Sequence, residues 1–345
     1  MRKFLLKISY TVLPVWLLLV GNVFYVSLFV SPRLSGDLGV LAFIPFGHEY
    51  HERMAAGAPH DTLFHTITSD DELAAARFDV LTVGDSFSQQ QADSYQNYLA
   101  HSGLSVANCS WKLFASPVQY AYNIMDHGLI DSTRVRVLIL ETAERVFEVE
   151  MDNFSPGSPT IPRASSGGGG NEWSLARARD MLFYKLNLKT PVYKAALDCE
   201  LFSSDEPSTL YFYYMDIVDG TSLPPSIEGK VREVQAALHA KAAEKGIKLI
   251  WLIAADKYDL YQDHIIDNKF PRKTIIDDIR RMLHDSTDLM FAKDILLPMV
   301  DRGEKDVYLF NDSHWSHVAT EAVARELRAR MDKLLFAPTK PILNQ

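Results

Sequence analysis

The sequence predicts an α/β fold, a three-layer domain with a parallel sheet and helices on both faces, preceded by an N-terminal transmembrane helix. Three observations predict it. Short, nearly uninterrupted apolar runs rich in β-formers recur along the chain, as strands buried on both faces require. Between them lie stretches of helical period that end on glycine, the residue expected just past a helix C-terminus. Ahead of both stands a long uncharged stretch at the extreme N-terminus.

That stretch comes first. Arg2, Lys3 and Lys7 precede "ISYTVLPVWLLLVGNVFYVSLFV", Ile8 to Val30, 23 residues without a charge. Crossing the hydrocarbon core takes about 20 apolar residues, whereas the apolar region of a cleaved signal peptide has only about 7–15. No small-residue cleavage site follows in "SPRLSGDLG". Pro14, Gly21 and Asn22 are tolerated in membrane helices, where neighbours satisfy the backbone. The basic flank puts the N-terminus in the cytoplasm and the bulk of the chain outside. Residues 1–31 are therefore expected to be a cytoplasmic stub and an uncleaved single-pass anchor in the inner (cytoplasmic) membrane.

Residues 32–75 read as a juxtamembrane connector. His48, His51, His60 and His65 gather here, and "HEYHE" invites a zinc reading. Its histidines are three apart, not four as in H-E-x-x-H, so a polar surface segment is expected and no metal.

The strands follow in order: "FDVLTV" (78–83), "SVANCS" (105–110), "VRVLILE" (135–141), "IKLIWLI" (247–253) and "DVYLF" (306–310). Helical stretches between them include "DSYQNYLAHSG", ending on Gly103, and "EGKVREVQAALHAKAAEKG", ending on Gly246. Residues 76–335 are expected to form this domain, with an insertion at about 151–225 that breaks the alternation and a C-terminal tail at 336–345. The insertion opens on "SPGSPTIPRASSGGGGNEW", a Pro/Gly/Ser-rich loop without the Lys-Ser/Thr of a nucleotide cradle. The 345 residues carry 35 basic and 44 acidic side chains, a net charge of -9 without a dense basic run, which argues against a nucleic-acid partner. Cys109 and Cys199 lie in the exported part and either pair or remain buried thiols; neither has metal-ligand spacing.

Two stretches carry chemistry. In "FDVLTVGDSFSQQ" an apolar run halts at Gly84, and Asp85-Ser86 opens a polar, helix-compatible segment. Such a serine is either a helix cap or a nucleophile on a sharp strand-to-helix turn. In "YLFNDSHWSHVATEAVARELRARM" a polar turn places Asp312 two residues before His314. A serine nucleophile needs a base, and the base needs an acceptor that fixes its tautomer; His314 and Asp312 supply both from one loop. In an open parallel sheet, both stretches would sit at carboxyl ends of strands, where active sites lie. His317 is an alternative base.

"VGDSFS" and "NDSHWS" together resemble the SGNH/GDSL hydrolase superfamily, and the D-x-H-W form resembles its alginate O-acetyltransferase group of periplasmic polysaccharide acetyltransferases. "VLILETAERVF" and "KLIWLIAADKYDLY" are also similar to that group. The resemblance covers about residues 76–335 and implies an SGNH-like (flavodoxin-like) fold. It makes Ser86 the acyl-accepting nucleophile, His314 the general base and Asp312 its orienter. The oxyanion hole departs from the hydrolase pattern: the second block reads "LFASPVQYAYNI", with Ala115 and Ser116 in place of glycine, and Glu141 to Arg145 replace G-x-N-D. Ser116 is a candidate oxyanion residue. Arg145 either steadies an anion or pairs with Glu141 or Glu144; Lys257 either meets substrate or is a solvated surface residue; Trp315 either stacks on a sugar or wedges the loop.

What the resemblance implies is an anchored extracytoplasmic O-acetyltransferase acting on an exopolysaccharide or cell-surface glycan through an acyl-serine, with no cofactor. Acetyl-CoA is cytoplasmic, so a multi-spanning membrane O-acyltransferase is the expected acetyl donor. The alternatives are a carbohydrate esterase with the same triad and an inactive scaffold subunit of an export complex.

Overall fold

The computed structural model describes residues 2–30, 33–44, 47–163, 183, 186, 191–284 and 286–336. The glycine-rich part of the inserted loop and the end of the C-terminal tail lie outside them.

Six parallel strands form the main sheet: β1 (His65–Ile67), β2 (Phe78–Val83), β3 (Val106–Cys109), β4 (Val135–Ala143), β7 (Lys248–Ala254) and β8 (Leu289–Phe291), in the order β1-β3-β2-β4-β7-β8. An antiparallel hairpin, β5 (Val192–Ala196) and β6 (Thr209–Tyr213), belongs to the inserted region. Both faces of the sheet are buried. Val80, Val137, Ile139 and Ile250 point to one apolar cluster, while Leu81, Val83, Leu138 and Leu140 point to the other. This is the period-2 pattern that turns an unbroken apolar run into a central strand. Helices Tyr95–His101 and His317–Phe336 cover the first face; Pro117–Asp126, Glu228–Lys245 and Ile275–Met282 cover the second. The helix Glu228–Lys245 ends on Gly246 at φ 69°, a left-handed cap that glycine adopts without Cβ strain.

Strand order sets the site. From β2 the chain moves outward to β3, then crosses back to β4 on the other flank of β2. The carboxyl end of β2 is thus a switch point, where adjacent connections diverge and leave a crevice.

One expected strand is not a strand. "DVYLF" makes a single antiparallel bridge, Tyr308 to Trp315, and the sheet edge is instead β8. The apolar run is buried, as a strand would be, but side chains take its backbone groups. Tyr261 and Tyr50 hydroxyls accept from the amides of Tyr308 and Phe310, and Lys257 Nζ donates to the carbonyls of Leu309 and Phe310.

The segment at 33–75 is packed into the domain. Leu38, Ala42, Tyr50 and Met54 are buried in the first cluster, and Asn311 Nδ2 donates to the carbonyls of Ser35 and Gly47. At the N-terminus, one helix among the described residues is long and apolar enough to cross a membrane, Lys7–Val30, with mean hydropathy 2.1 and none of it buried. Cys109 and Cys199 are both free thiols.

Candidate active site

The turn after β2 brings Ser86 to the crevice. Asp85 stands at the head of the short helix Ser86–Gln89: its carboxylate accepts from the Phe87 amide at 3.1 Å and from the Ala143 amide, at the end of neighbouring β4, at 2.8 Å. The cap is therefore Asp85, and the Ser86 hydroxyl has no hydrogen bond among the described residues. Gly84 is obligatory for steric reasons. A Cβ there would lie 2.2 Å from Ser88 Oγ and 2.5 Å from Glu141 Oε2, two buried atoms that bond each other at 2.9 Å.

Ser86, Asp312 and His314 line one cavity of about 530 Å³, together with His51, Gln89, Gln90, Asp93, Ser110 and Trp111, among others. His314 Nδ1 lies 2.5 Å from Asp312 Oδ1, which fixes the tautomer and leaves Nε2 as the nitrogen free to act. Nε2 is buried and has no hydrogen-bond partner among the described residues. Burial alone would lower the His314 pKa, but the adjacent Asp312 carboxylate outweighs it and the pKa is raised. Burial opposes ionisation of Asp312 too, yet His314 and the amides of Asp37 and His314 hold its carboxyl well below the usual range. The ring of Phe87 meets the imidazole edge-on at 5.0 Å, which sets its tilt.

Ligand-type atoms of Asp37, Asp312 and His314 lie within 4.8 Å of one another, but the 2.5 Å contact between Asp312 and His314 is a direct hydrogen bond with no room for an ion between them. Asp198, Cys199 and His264 form a second cluster, away from the cavity.

Two comparisons bear on this geometry. Residues 221–341 match the family model described as the SGNH hydrolase-like domain of acetyltransferase AlgX, a span that contains Lys257 and the Asp312–Trp315 turn. A probable alginate O-acetylase, AlgJ of Pseudomonas syringae pv. tomato, is 27% identical over 143 residues, which cover 39% of this chain and 36% of that protein. Over its C-terminal part the chain is thus similar to the SGNH hydrolase-like domain of the alginate acetyltransferase group. The matched part spans about a third of the length of that curated relative. No solved structure matches the chain.

Five of the residues singled out in the sequence do not line the cavity: Ser116, Arg145, Trp315, Lys257 and His317. Ser116 caps the helix Pro117–Asp126, and its hydroxyl donates to Glu150 at 2.5 Å. The residues at the cavity from this part of the chain are Ser110 and Trp111, directly past β3, and the strand-end rule alone pointed there. Asn108 also lines it, but its side chain is committed to Ser88 O at 2.9 Å and Thr82 Oγ1 at 2.7 Å. Arg145 pairs with Asp256 at 2.7 Å and lies 3.7 Å from Asp216, not with Glu141 or Glu144, and its guanidinium is over Phe87. Trp315 is fully buried, touches Phe87 and donates to Tyr308 at 2.8 Å; it is the wedge.

Lys257 is neither solvated nor placed to meet substrate. It is fully buried and donates to the carbonyls of Leu309, Phe310 and Asp312 at 2.7, 2.9 and 3.1 Å. Burial pulls its pKa down to about 7, whereas three carbonyl acceptors call for the three hydrogens of the ammonium form. The hydrogen-bond geometry decides: the ammonium is the form that shapes the histidine loop. His317 opens the helix behind and lines a different cavity.

No motif points to Asp37. Its carboxylate accepts from the Ser313 amide at 2.7 Å and from the Ser313 hydroxyl, while its own amide donates to Asp312 Oδ2 at 3.1 Å. The contact spans 275 positions, so no local pattern announces it.

Proposed function

We propose that the protein is an anchored O-acetyltransferase that passes an acetyl group through Ser86 to a hydroxyl of a polysaccharide outside the cytoplasm. The observation that carries this reading is His314: Nδ1 is held by Asp312, and Nε2 has no partner in a cavity that Ser86 shares. In that arrangement Nε2 accepts the Ser86 hydroxyl proton as Oγ attacks the carbonyl carbon of an acetyl ester. The tetrahedral intermediate expels the donor's oxygen, which takes the proton from Nε2 and leaves acetyl-Ser86. An acceptor hydroxyl then gives its proton to Nε2, attacks the same carbonyl and releases Ser86 with the proton restored. Serine and histidine make no hydrogen bond in the free protein, a separation common before substrate brings the groups together.

The similarity to the SGNH acetyltransferase group favours acetyl as the transferred group, and the exposed apolar helix fits single-pass anchoring. Trp111, 37% exposed, gives the cavity an aromatic face suited to a sugar ring. The acetyl donor in this reading is a multi-spanning membrane O-acyltransferase that relays the group across the bilayer.

The test is to give the detergent-solubilised chain an activated acetyl ester, with and without oligosaccharides. Mass spectrometry should find acetyl on Ser86, and acceptor should draw label onto sugar faster than water releases acetate. Acetate release that dominates with every acceptor makes the protein an esterase; absence of acyl-serine leaves a scaffold.

A further inference from the structure

Asp37 lies seven residues past the apolar stretch, in a segment with no resemblance to the catalytic motifs, and yet it meets the histidine loop at three points. Its amide donates to Asp312 Oδ2, the oxygen that His314 does not use. Its Oδ1 accepts from the Ser313 amide, and its Oδ2 from the Ser313 hydroxyl while lying 3.9 Å from His314 Nδ1. The same segment holds the loop on both sides of this point. Gly39 N donates to Asn311 O, Asn311 Nδ2 donates to Ser35 O and Gly47 O, and Tyr50 OH accepts from Phe310 N. The space around Asn311 is tight: a Cβ on Gly36, which has φ 73°, would lie 2.3 Å from its carbonyl oxygen.

We propose that Asp37 is a positioning residue of the histidine loop, fixing Asp312 and Ser313 so that Asp312 receives His314 Nδ1, and so making the membrane-proximal segment part of the active site. This rests on the reading of His314 as the base. The chemistry asks for such a part. A carboxylate orients an imidazole only if its own rotation is stopped, and here the amide of Asp37 stops it. A helix-start role alone, in which Asp37 Oδ1 takes the Leu38 amide at 2.5 Å, would not explain the bonds to Ser313 and Asp312.

The second carboxylate also bears on the imidazole electrostatically. The charged and titratable groups around His314 are Asp312, Asp37, Arg145, Lys257 behind the loop, and His51 and Asp93 across the cavity. Among the described residues, Asp312 and Asp37 bring carboxylate oxygens within 4.0 Å of Nδ1, and both favour the imidazolium.

The test compares Asp37→Asn, Asp37→Glu and His314→Ala with the unaltered full-length chain in detergent, reading acyl-serine formation against pH and thermal unfolding in parallel. Asp37→Asn should slow acylation by about tenfold, with little change in KM for the acetyl ester. It should also move the acidic limb of the profile to lower pH, because a negative charge beside the imidazole is gone. Asp37→Glu should recover part of the rate. A lower unfolding temperature with an unmoved limb and unchanged acylation would reduce Asp37 to a structural clamp and overturn the proposal. If His314→Ala keeps its rate, the base itself is misassigned, and the proposal falls with it for a different and recognisable reason.

Discussion

The serine turn and the histidine loop share one cavity, but they are built in opposite ways. The turn is made by its own strand and the next: β2 delivers Gly84, and Asp85 ties Phe87 and the end of β4. The loop from Asp306 to His314 has no strand to lie on. Its backbone is held by Lys257, Tyr50, Asp37 and the partners of Asn311, between 52 and 276 positions away in the chain. The lesson is that Ser86 inherits its place from the sheet, whereas His314 depends on side chains contributed by remote segments. The position of Ser86 should be robust and that of His314 fragile.

The largest expected effect tests whether the two halves work as one. Ser86→Ala and His314→Ala should each cut acyl-serine-dependent turnover by roughly a thousandfold or more, and the double variant should cost little beyond either. Additive losses would mean that the two residues serve different steps. Next comes the fragility of the loop. Lys257→Met removes the ammonium donor shared by the carbonyls of Leu309, Phe310 and Asp312, and should lower stability by roughly 2–4 kcal/mol in a urea titration. Gln89→Ala, on the serine turn, should cost less than about 1 kcal/mol. Equal losses would erase the contrast.

The turn has one rigid point of its own. Gly84→Ala forces a methyl onto Ser88 and Glu141, and a penalty of about 1–3 kcal/mol should appear in thermal unfolding with the secondary structure retained. The smallest effect is in pH. His314 has a folded pKa above the ordinary 6.5, so neutral imidazole, the form the proposed mechanism uses, prevails only on the alkaline side of that value. Acylation should rise with pH through a limb displaced upward, and Asp312→Asn should bring the limb down while cutting the rate. The same shift gives stability that is present below the unfolded histidine pKa and lost as pH rises through the folded one. A limb at or below 6.5 in the unaltered protein would contradict this electrostatic picture.

The same contrast explains what was legible in the sequence. β2, β4 and β7 are marked by apolar runs buried on both faces, a local signal, and the turn at Ser86 follows from where the first run stops. "DVYLF" carries the same signal and misleads, because burial is what an apolar run reports and strand pairing is not. Lys257 and Arg145 mislead in the other direction. A charged residue reads as solvated unless its partners are known, and theirs are the carbonyls of Leu309 and Phe310 and the carboxylate of Asp256. Ser116 reads as the second block of the resemblance, but the strand end at Cys109 places Ser110 and Trp111 at the cavity instead. Asp37 had no legible signal at all, since it acts through Ser313 and Asp312 at the far end of the chain.

The short run between the apolar helix and Asp37 also sets a working radius. Seven residue steps join Val30 to Asp37, and even fully extended they reach no more than about 25 Å. With the helix seated in a bilayer, Asp37 would be leashed within that distance of the lipid surface, and the histidine loop it holds could not swing out into the bulk. The local concentration of sites would then be high in a thin lamina against the membrane and nil beyond it. Under the proposed function, a polymer would be modified while it emerges through that lamina, and a strand already released would pass out of reach.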